Sequence, residues 1–545
     1  MESNKGLLQV LFADSDHVPL TGQVIISPVN SRGWNDFGYH IKCIFKVCVS
    51  DDVEPIEGDM LIGFLPPKEV IKSELDEWRP SLGELMKDSG KSAPTPEHLP
   101  PFFTLLPDLK SYRYVVESLG PQHAEVFLKS VNDLVVFKEE KDDWITKALT
   151  TEVFSRGFMR NSEPFFAYNN ADSVLGGVDE EDFSAISNSL DLSFSLEGFQ
   201  NPHEIKLRFS DQGLIPRRIN VLIGKNGLGK SQALKYFCRA ALRYQDKHLS
   251  LSDTENIDSR PMISRVLAVA TPGETQNTFP AERIQSQKLF YRRLNLTRNS
   301  KSKVSRSIGE TLVQLARSEE YIGENERWDL FLEALQKSIP VDSLIIPLNG
   351  GKHIPLKRFS RGSEQEKLDR WASVDPKTEP RLKISDNTYP LSSGQLTFFK
   401  FALLCCLYIE NGSFVLMDEP ETHLHPNMIS DFVELLDYLL EHTGSHAILA
   451  THSAYFVREV PKEQVHVFQQ QDDGGISIDQ PRLRTFGASV DSISQFVFCE
   501  NSEIRLTDKI YEKVKGRTFE DIDAELSDQL SLAALMHLRR KIEAV

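Results

Sequence analysis

The sequence lacks the residue patterns that mark disulfide-rich, zinc-binding or membrane proteins. Its six cysteines form no C-x-x-C pair and no histidine cluster accompanies them, so neither a disulfide framework nor a zinc site is expected. The N-terminus has no basic segment followed by a long apolar run, so no signal peptide is predicted. The most apolar helical candidate, Phe398–Ile409, spans only about 12 residues and is too short to cross a bilayer. We therefore expect a cytoplasmic protein with no membrane partner.

The chain carries a large excess of negative charge. Its 545 residues carry 62 lysines and arginines against 79 aspartates and glutamates, a net charge of -17. This charge argues against a surface that coats nucleic acid over its whole area, but it allows a local basic patch. The hydrophobic fraction of 40% is enough for a large core, and the length suggests about two to four domains.

A glycine-rich loop stands at residues 224–231, where the sequence reads GKNGLGKS. It fits the pattern G-x-x-x-x-G-K-S/T and lies between a predicted strand, Arg218–Ile223, and a helix predicted over 232–245. In this setting backbone N–H groups and the helix N-terminus bind nucleotide phosphates. Lys230 is expected to reach the β- and γ-phosphates, and the Ser231 hydroxyl is expected to bind magnesium. The predicted nucleotide-binding residues are Gly224, Asn226, Gly227, Gly229, Lys230, Ser231 and Gln232.

A second motif reads SFVLMDEPETHLHP, from Ser413 to Pro426. Phe414–Met417 is predicted to be a buried strand that ends in two carboxylates. Asp418 suits the coordination shell of magnesium, and Glu419 is placed to polarise a water molecule as general base. Taken alone, this motif could be a strand end with solvated acids. Downstream of a phosphate-binding loop, it predicts nucleotide hydrolysis.

A third motif, LSSGQ, lies directly before the apolar helix. Read alone, it is a serine-rich helix cap. In sequence order with the other motifs it resembles the signature of the ABC ATPase superfamily, LSGGQ, which in one head caps the ATP bound to a second head. The resemblance implies ATP and Mg²⁺ as cofactors and a homodimer or higher oligomer formed through the heads. It also implies a contact to the γ-phosphate in trans from Ser392 and Gly394. Ser393, which replaces a glycine with another small residue, is a nucleotide-binding candidate with them.

A fourth motif, ILATHS, places a histidine at the end of a predicted strand. A lone histidine there is usually structural, but in ABC ATPases the matching histidine contacts the γ-phosphate, so His452 is the candidate. The family also carries a glutamine loop after the strand predicted at Val266–Ala270. Gln276 is the nearest glutamine and could bind magnesium or position water, although a plain polar loop residue is an equal interpretation.

The block after Glu419 indicates a branch of the superfamily. DEPETHLHP resembles the DEPE-x-x-LHP block of the RecF, SMC and OLD-like ATPases, whereas transporter ATPases usually differ there. No long coiled coil is predicted between the phosphate-binding loop and the signature, so a compact insertion is expected rather than an SMC arm. Asp472 and Asp473 lack the Asp-x-Asp spacing of the OLD-type nuclease. We therefore predict no nuclease in this chain.

The overall layout resembles PtuA, the ATPase subunit of Septu-type antiphage systems, including retron-associated versions. The resemblance implies a partner HNH nuclease similar to PtuB and, in the retron-associated versions, a reverse transcriptase with its msDNA. The ATPase of the PARIS defence system is a competing assignment. We therefore predict a regulatory ATPase that controls a separate nuclease. The alternatives are a RecF-like DNA-repair or DNA-scanning ATPase without a nuclease partner and, against the motifs, a transporter ATPase.

A basic stretch runs from Arg283 to Arg306 without an acidic residue, and Phe290 and Tyr291 lie within it. Cations could bind phosphates there and aromatic rings could stack on bases. A solvated helical face, or a patch that docks an acidic partner, is the competing interpretation. The candidate contact residues for nucleic acid or a partner are Arg292, Arg293, Arg298 and Lys301.

These features together predict an α/β fold. Its centre is an ABC-type ATPase head with a P-loop and a mixed β-sheet flanked by helices, joined to an N-terminal β-containing module and a mainly helical insertion. The predicted divisions are an N-terminal module of unknown role at 1–150, a lobe with the phosphate-binding loop at 185–280, a helical insertion at 281–385, a lobe with the other three motifs at 386–470 and a C-terminal helical region at 471–545.

Overall fold

The structure, a computed structural model, describes most of the chain. The described residues are 6–29, 39–50, 53–66, 78–138, 140, 142–175, 186–210, 214–215, 217–243, 246–255, 260–270, 278–281, 289–296, 307–318, 320–322, 325–376, 378–422, 424–498, 505–530 and 532–543.

Within the described residues the strands form five sheets. Their bounds are β1 Gln9–Phe12, β2 Gln23–Pro28, β3 Lys42–Cys48, β4 Ile56–Phe64, β5 Phe102–Leu105, β6 Ser189–Phe194, β7 His203–Arg208, β8 Ile219–Gly224, β9 Leu249–Asp253, β10 Arg265–Ala270, β11 Phe290–Asn295, β12 Tyr321–Ile322, β13 Asn325–Glu326, β14 Leu344–Pro347, β15 His353–Pro355, β16 Arg381–Ile384, β17 Asn387–Pro390, β18 Ser413–Asp418, β19 His446–Thr451, β20 Val465–Gln470 and β21 Ile476–Asp479.

The α-helices lie in all parts of the chain. Their bounds are α1 Leu82–Asp88, α2 Leu109–Leu119, α3 Pro121–Ser130, α4 Asp143–Thr150, α5 Ser162–Leu175, α6 Lys230–Ala241, α7 Ile308–Ala316, α8 Arg327–Gln336, α9 Glu364–Ala372, α10 Ser393–Tyr408, α11 Pro426–His442, α12 Ala454–Val457, α13 Val490–Phe498, α14 Arg505–Val514, α15 Phe519–Leu526 and α16 Leu532–Glu543. No helix in this part of the chain combines the length and the apolar character needed to cross a bilayer.

The central sheet has seven strands in the order β11-β10-β18-β19-β8-β20-β21, and all neighbours are parallel except β20 and β21. Both faces of this sheet are covered, which explains its continuous apolar strands. Val221 and Ile223 of β8 belong to the apolar core on one face, which also includes residues of α7, α8, α10 and α11. Leu222, between them, packs on the other face with α6 and an antiparallel sheet of order β7-β6-β9. Alternate residues of β8 therefore pack into two different hydrophobic cores, one on each face of the central sheet.

The N-terminal module is a five-stranded sheet, β1 to β5 in chain order, packed with α1 to α5. Its hydrophobic core extends to Val174 and Ile186 and includes Met262 of the head. The sequence places the boundary of this module at residue 150, whereas the core continues well beyond that residue. The module thus shares a continuous apolar core with the part of the head that precedes β10.

The segment 281–385 contains more strand than the sequence indicates. It supplies β11, the edge strand of the central sheet, and an antiparallel sheet of order β15-β14-β16-β17, besides helices α7 to α9. The strands β14 to β17 are three or four residues each, so their alternation is too short to be read against the helical pattern beside them. Similarly, the region after 470 begins with β21 and becomes helical only from Val490.

A buried ion-pair network joins the N-terminal module to the helix that follows the signature. Glu410, just beyond α10, accepts a hydrogen bond from Arg113 of α2 at 3.0 Å and pairs with Arg327 of α8. Arg327 also donates to the carbonyls of Cys406 and Ile409, at 2.9 and 2.7 Å, at the C-terminal end of α10. Burial alone would raise the pKa of Glu410, but the surrounding arginines lower it to about 2. The N-terminal module is therefore held to the head by charge as well as by apolar contact.

Replacing Arg113 with methionine is expected to lower the free energy of unfolding by about 1.5–3 kcal/mol, because it removes one charged hydrogen bond from a buried carboxylate that keeps its pair with Arg327. A urea titration measures this difference. The matched control is Lys110→Met on the same helix, whose exposed pair with Glu320 is worth about 1 kcal/mol or less. Because the folded-state pKa of Glu410 is depressed from 4.5 to about 2, the pair stabilises above pH 4.5 and its contribution is lost as the pH falls toward about 2. Equal losses in the two variants would contradict this assignment.

Candidate functional site

The carboxyl ends of four neighbouring strands bring the sequence motifs together. In the sheet order β10-β18-β19-β8, β10 precedes Thr278 in the chain, β18 ends at Asp418 before Glu419, β19 leads into His452 and β8 leads into the glycine-rich loop. Residues from distant parts of the chain meet at this edge because parallel strands all end on the same side. The glycine-rich loop, the Asp418–Glu419 pair and His452 thus converge on one location.

The glycine-rich loop adopts a backbone shape that only glycine allows at two points. Gly224 has φ 153°, and a Cβ there would lie 2.5 Å from the carbonyl oxygen of Phe468 on β20. Gly229, which caps α6, has φ 98°, and a Cβ there would lie 2.9 Å from Nε2 of His203. Both conformations are open to glycine and strained for other residues. The loop therefore keeps the close backbone approach that phosphate binding needs.

Lys230 is buried at the start of α6, and its ammonium donates to the carbonyls of Gly224 at 2.9 Å and Lys225 at 3.0 Å. Burial lowers its pKa to about 8, although the nearby carboxylates of Glu419 and Asp418 act in the opposite direction. A lysine in this position favours an anion beside it, because an anion stabilises the charged form.

At pH 8, ATP binding is expected to take up about half a proton, since Lys230 has a pKa of about 8 and a triphosphate restores its full charge. Affinity should accordingly fall as the pH rises above 8, where binding must supply the proton. Calorimetric titration in two buffers of different ionisation enthalpy measures the uptake. The same titration at pH 6.5, where the lysine is already charged, is the control and should show much less uptake from this group. Equal uptake at both pH values would exclude Lys230 as its source.

Ser231 and Asp418 form the predicted magnesium pair. The Ser231 hydroxyl donates to Oδ1 of Asp418 at 2.9 Å, and the Thr278 hydroxyl donates to Oδ2 at 2.8 Å. Hydroxyl and carboxylate oxygens are the ligands that Mg²⁺ prefers, with the remaining positions taken by phosphate and water. No cluster of three or more His, Cys, Asp or Glu residues suited to a metal occurs in the described part of the chain. The donor set thus fits a magnesium ion held jointly with a nucleotide. Gln276 lies outside the described residues.

Glu419 and His452 face each other across neighbouring strand ends. Oε1 of Glu419 lies 3.2 Å from Nε2 of His452, and both side chains are partly exposed to the cavity. Glu419 has φ 47°, and its N–H donates to the carbonyl of Ala450 at 2.8 Å. A left-handed conformation is strained for glutamate and is typical of functional sites. Burial, and then the charge of Lys230, lowers the pKa of His452, which favours its neutral form.

A cavity of about 1100 Å³ opens in front of these residues and is large enough for a nucleoside triphosphate. Its lining also includes the apolar and aromatic side chains of Leu196, Phe199 and Tyr236. The predicted site residues among its lining are Asn226, Gly227, Gly229, Lys230, Ser231, Gln232, Glu419 and His452.

The residues of the LSSGQ signature do not line the cavity that the other motifs form. Ser392, Ser393 and Gly394 are not among the described residues that line this cavity. Ser392 is the N-cap of α10, where its side chain accepts from the N–H of Gln395 at 3.2 Å. A Cβ on Gly394 would lie 2.6 Å from Cε of Met428, so a larger side chain there would require the flexible end of Met428 to move. The serine-rich motif is thus a helix cap that is not part of the cavity lining of its own head.

The basic candidates are only partly described. Arg292 and Arg293 lie on β11, a strand of the central sheet rather than a helix, and both are half-buried. The Arg292 guanidinium lies 4.8 Å from the ring centroid of Tyr408 at the end of α10. Arg298 and Lys301 lie outside the described residues. A nucleic-acid contact at this stretch therefore stays a prediction.

Two residues of the site were missed by sequence reasoning. Thr278 binds Asp418 from a loop 140 positions earlier in the chain, and nothing in its sequence surroundings marks it. Glu421 lies in the DEPE block and accepts hydrogen bonds from the Thr451 hydroxyl and the His452 N–H. The sequence did offer one indication of Glu421, because it is a third carboxylate close to Asp418 and Glu419.

Comparisons with known proteins cover the head and, in one case, nearly the whole chain. A family model described as "AAA domain, putative AbiEii toxin, Type IV TA system" matches residues 382–458, which contain the signature, Asp418, Glu419 and His452. Protein ea59 of Escherichia phage lambda is 24% identical over 531 residues, covering 92% of this chain and 90% of the phage protein.

Two solved structures illustrate the structural matches. One is the SmcHead bound to the C-winged helix domain of ScpA, with a TM-score of 0.30 and 12% identity over 55% of this chain and 98% of that chain. The other is cbiO1 from Clostridium perfringens, part of the ABC transporter complex cbiONQ, with a TM-score of 0.27 and 14% identity over 62% of this chain and 98% of that chain. Independently of these values, the sheet flanked by helices, with the glycine-rich loop, Asp418, Glu419 and His452 at one edge, fits the P-loop fold of an ABC-type ATPase head, carried here with an N-terminal module and an insertion.

Proposed function

We propose that this chain is an ATP-binding and ATP-hydrolysing regulatory subunit of an antiphage defence complex, which dimerises around ATP and controls a separate nuclease. The observation that carries the ATPase part is the position of Glu419. This carboxylate lies 3.2 Å from His452 and follows directly on Asp418, which is paired with Ser231. The predicted general base, the serine of the predicted magnesium pair and the buried lysine therefore border a single cavity.

Each residue of the site has a separate role in the proposed hydrolysis of ATP. The backbone of the glycine-rich loop and Lys230 hold the phosphates, while Ser231 and Asp418 would hold magnesium, which neutralises charge on the phosphate oxygens when bound. Glu419 accepts a proton from a water whose oxygen forms the new bond to the γ-phosphorus, as the bond from that phosphorus to the bridging oxygen of ADP breaks. His452, neutral and held against Glu419, contacts the γ-phosphate.

Dimerisation accounts for the placement of the signature. The Ser392 hydroxyl accepts a hydrogen bond within its own cap, so its proton remains available to a phosphate of a second head. The N-terminus of α10 adds positive potential at the same point. Two heads facing each other would each supply the signature that the other cavity lacks. Hydrolysis would then reopen the pair and change the conformation or release of a bound effector.

The defence role is supported by layout rather than by the site. The head with its insertion and N-terminal module resembles the ATPase of Septu-type systems, and the matched family model names a toxin of a toxin–antitoxin system. The relative in phage lambda spans nearly the whole chain, so the module and the head occur together in a second protein. We propose an HNH nuclease similar to PtuB as the effector, with a reverse transcriptase and its msDNA in a retron-associated complex.

Co-purification of the tagged native chain tests the defence role, with mass spectrometry for proteins and nuclease-sensitive staining for nucleic acid. Recovery of an HNH nuclease, with or without a reverse transcriptase and short DNA, is the expected result. The Lys230→Ala variant is the matched bait, since it separates partners that require bound ATP from those that do not. Recovery of the ATPase alone, with hydrolysis stimulated by added DNA, would contradict the proposal and favour a RecF-like DNA-scanning ATPase.

A further inference from the structure

Glu421 is a buried carboxylate for which the hydrolysis scheme above has no role. It follows Glu419 by two residues, and its Oε1 accepts two hydrogen bonds from the neighbouring strand end: from the Thr451 hydroxyl at 2.7 Å and from the His452 N–H at 2.8 Å. Its Oε2 is buried and has no hydrogen-bond partner among the described residues. An ionisable group is costly to bury, so a purely structural role would be met more cheaply by a neutral side chain.

The contacts of Glu421 connect the two strand ends that carry the catalytic pair, Glu419 and His452. Glu419 follows β18, whereas His452 follows β19, and the Glu419 N–H already bonds to Ala450 on that strand. Glu421 adds a second hydrogen bond between these strand ends, because it accepts from the backbone N–H of His452. The hydrogen bond at the His452 backbone thus fixes the point from which this side chain reaches Oε1 of Glu419 at 3.2 Å. Small displacements at such a point have large effects on rate.

We infer that Glu421 is a positioning residue for ATP hydrolysis, which holds the backbone of His452 so that its ring meets Glu419 and the γ-phosphate. The inference rests on the proposed function and assigns a task to a third carboxylate of the same motif. Glu421 acts through Oε1 as a hydrogen-bond acceptor and takes no proton from water. A neutral acceptor of the same length therefore suffices, which separates its role from that of Glu419.

The test compares Glu421→Gln and Glu421→Ala in the full chain, with kcat, KM and ATP affinity measured for each. Glutamine keeps a carbonyl oxygen at Oε1, so kcat should fall by no more than about threefold, the effect of one weakened hydrogen bond. Alanine removes the acceptor, so kcat should fall by about 10- to 100-fold, while ATP affinity changes by less than about threefold. Rescue by glutamine, together with an effect on kcat rather than on binding, marks a positioning role.

Thr451→Val is the companion variant, because it removes one of the two donors to Oε1 and leaves the His452 N–H in place. Its kcat should fall less than that of Glu421→Ala. If the alanine variant fails to fold, Thr451→Val still tests the inference. Normal kcat in Glu421→Ala would overturn the inference. Loss of hydrolysis in Glu421→Gln as severe as in Glu419→Gln would overturn it too, because Glu421 would then be the base. Normal hydrolysis by Glu419→Gln would instead show that the proposed assignment of the base is wrong.

Discussion

Replacing Glu419 with glutamine is expected to slow ATP hydrolysis by about 10²- to 10⁴-fold, the range associated with loss of a general base. Glutamine has the same length and tolerates the φ of 47° no worse than glutamate, so the fold and the cavity should be kept. ATP binding should be retained, because the phosphate contacts come from the loop and from Lys230. Steady-state hydrolysis and equilibrium binding, measured on the same preparation, separate the two effects.

The matched control is Glu434→Gln, which changes an exposed carboxylate on α11 paired with Lys337. Its hydrolysis rate should equal that of the native chain. If Glu419→Gln turned over ATP at the native rate, the general base would have to be another group. Parallel loss of binding and hydrolysis would instead indicate that the substitution disrupts the site.

Replacing Lys230 with alanine is expected to weaken ATP binding by up to about 100-fold. The side chain is buried beside the loop, and a charge-assisted hydrogen bond is worth up to about 3 kcal/mol, which corresponds to a factor of about 100 in Kd. Hydrolysis should be lost with binding at ordinary ATP concentrations. Fluorescence titration with a labelled nucleotide measures the change directly.

Lys235→Ala, one turn further along α6, is the control for this substitution. It lies on the same helix but is not among the described residues that line the cavity, so its affinity for ATP should be unchanged. Near-native binding by Lys230→Ala would contradict the assignment of the phosphate site. An equal loss in both variants would point to damage to the helix rather than to a missing phosphate contact.

Local motifs made the chemistry of the site predictable. The residues of the glycine-rich loop, Asp418, Glu419 and His452 each stand at the end of an apolar strand, and their spacing predicts the arrangement that the structure places at one sheet edge. The second interpretation of LSSGQ as a helix cap also holds, because Ser392 caps α10. The two interpretations are compatible, since a cap presents the first turn of its helix to a ligand.

Contacts between distant residues could not be predicted in the same way. Arg113 and Glu410 are 297 positions apart, and nothing near either residue indicates the other. Thr278 likewise reaches Asp418 from a loop whose neighbouring glutamine was the expected ligand. The short strands of the insertion are set by their packing on each other rather than by their own pattern, which is why the sequence favours helices there.

The most direct test of the central claim is the molar mass of Glu419→Gln in solution, measured by light scattering with and without ATP and Mg²⁺. We predict that ATP doubles the mass of the single chain, 61.8 kDa, because each head needs the signature of the other. Ser393→Glu, added to this variant, should bind ATP but stay at the single-chain mass, since its exposed carboxylate would face the partner's γ-phosphate. A mass unchanged by ATP, in a variant that demonstrably binds it, would contradict the account.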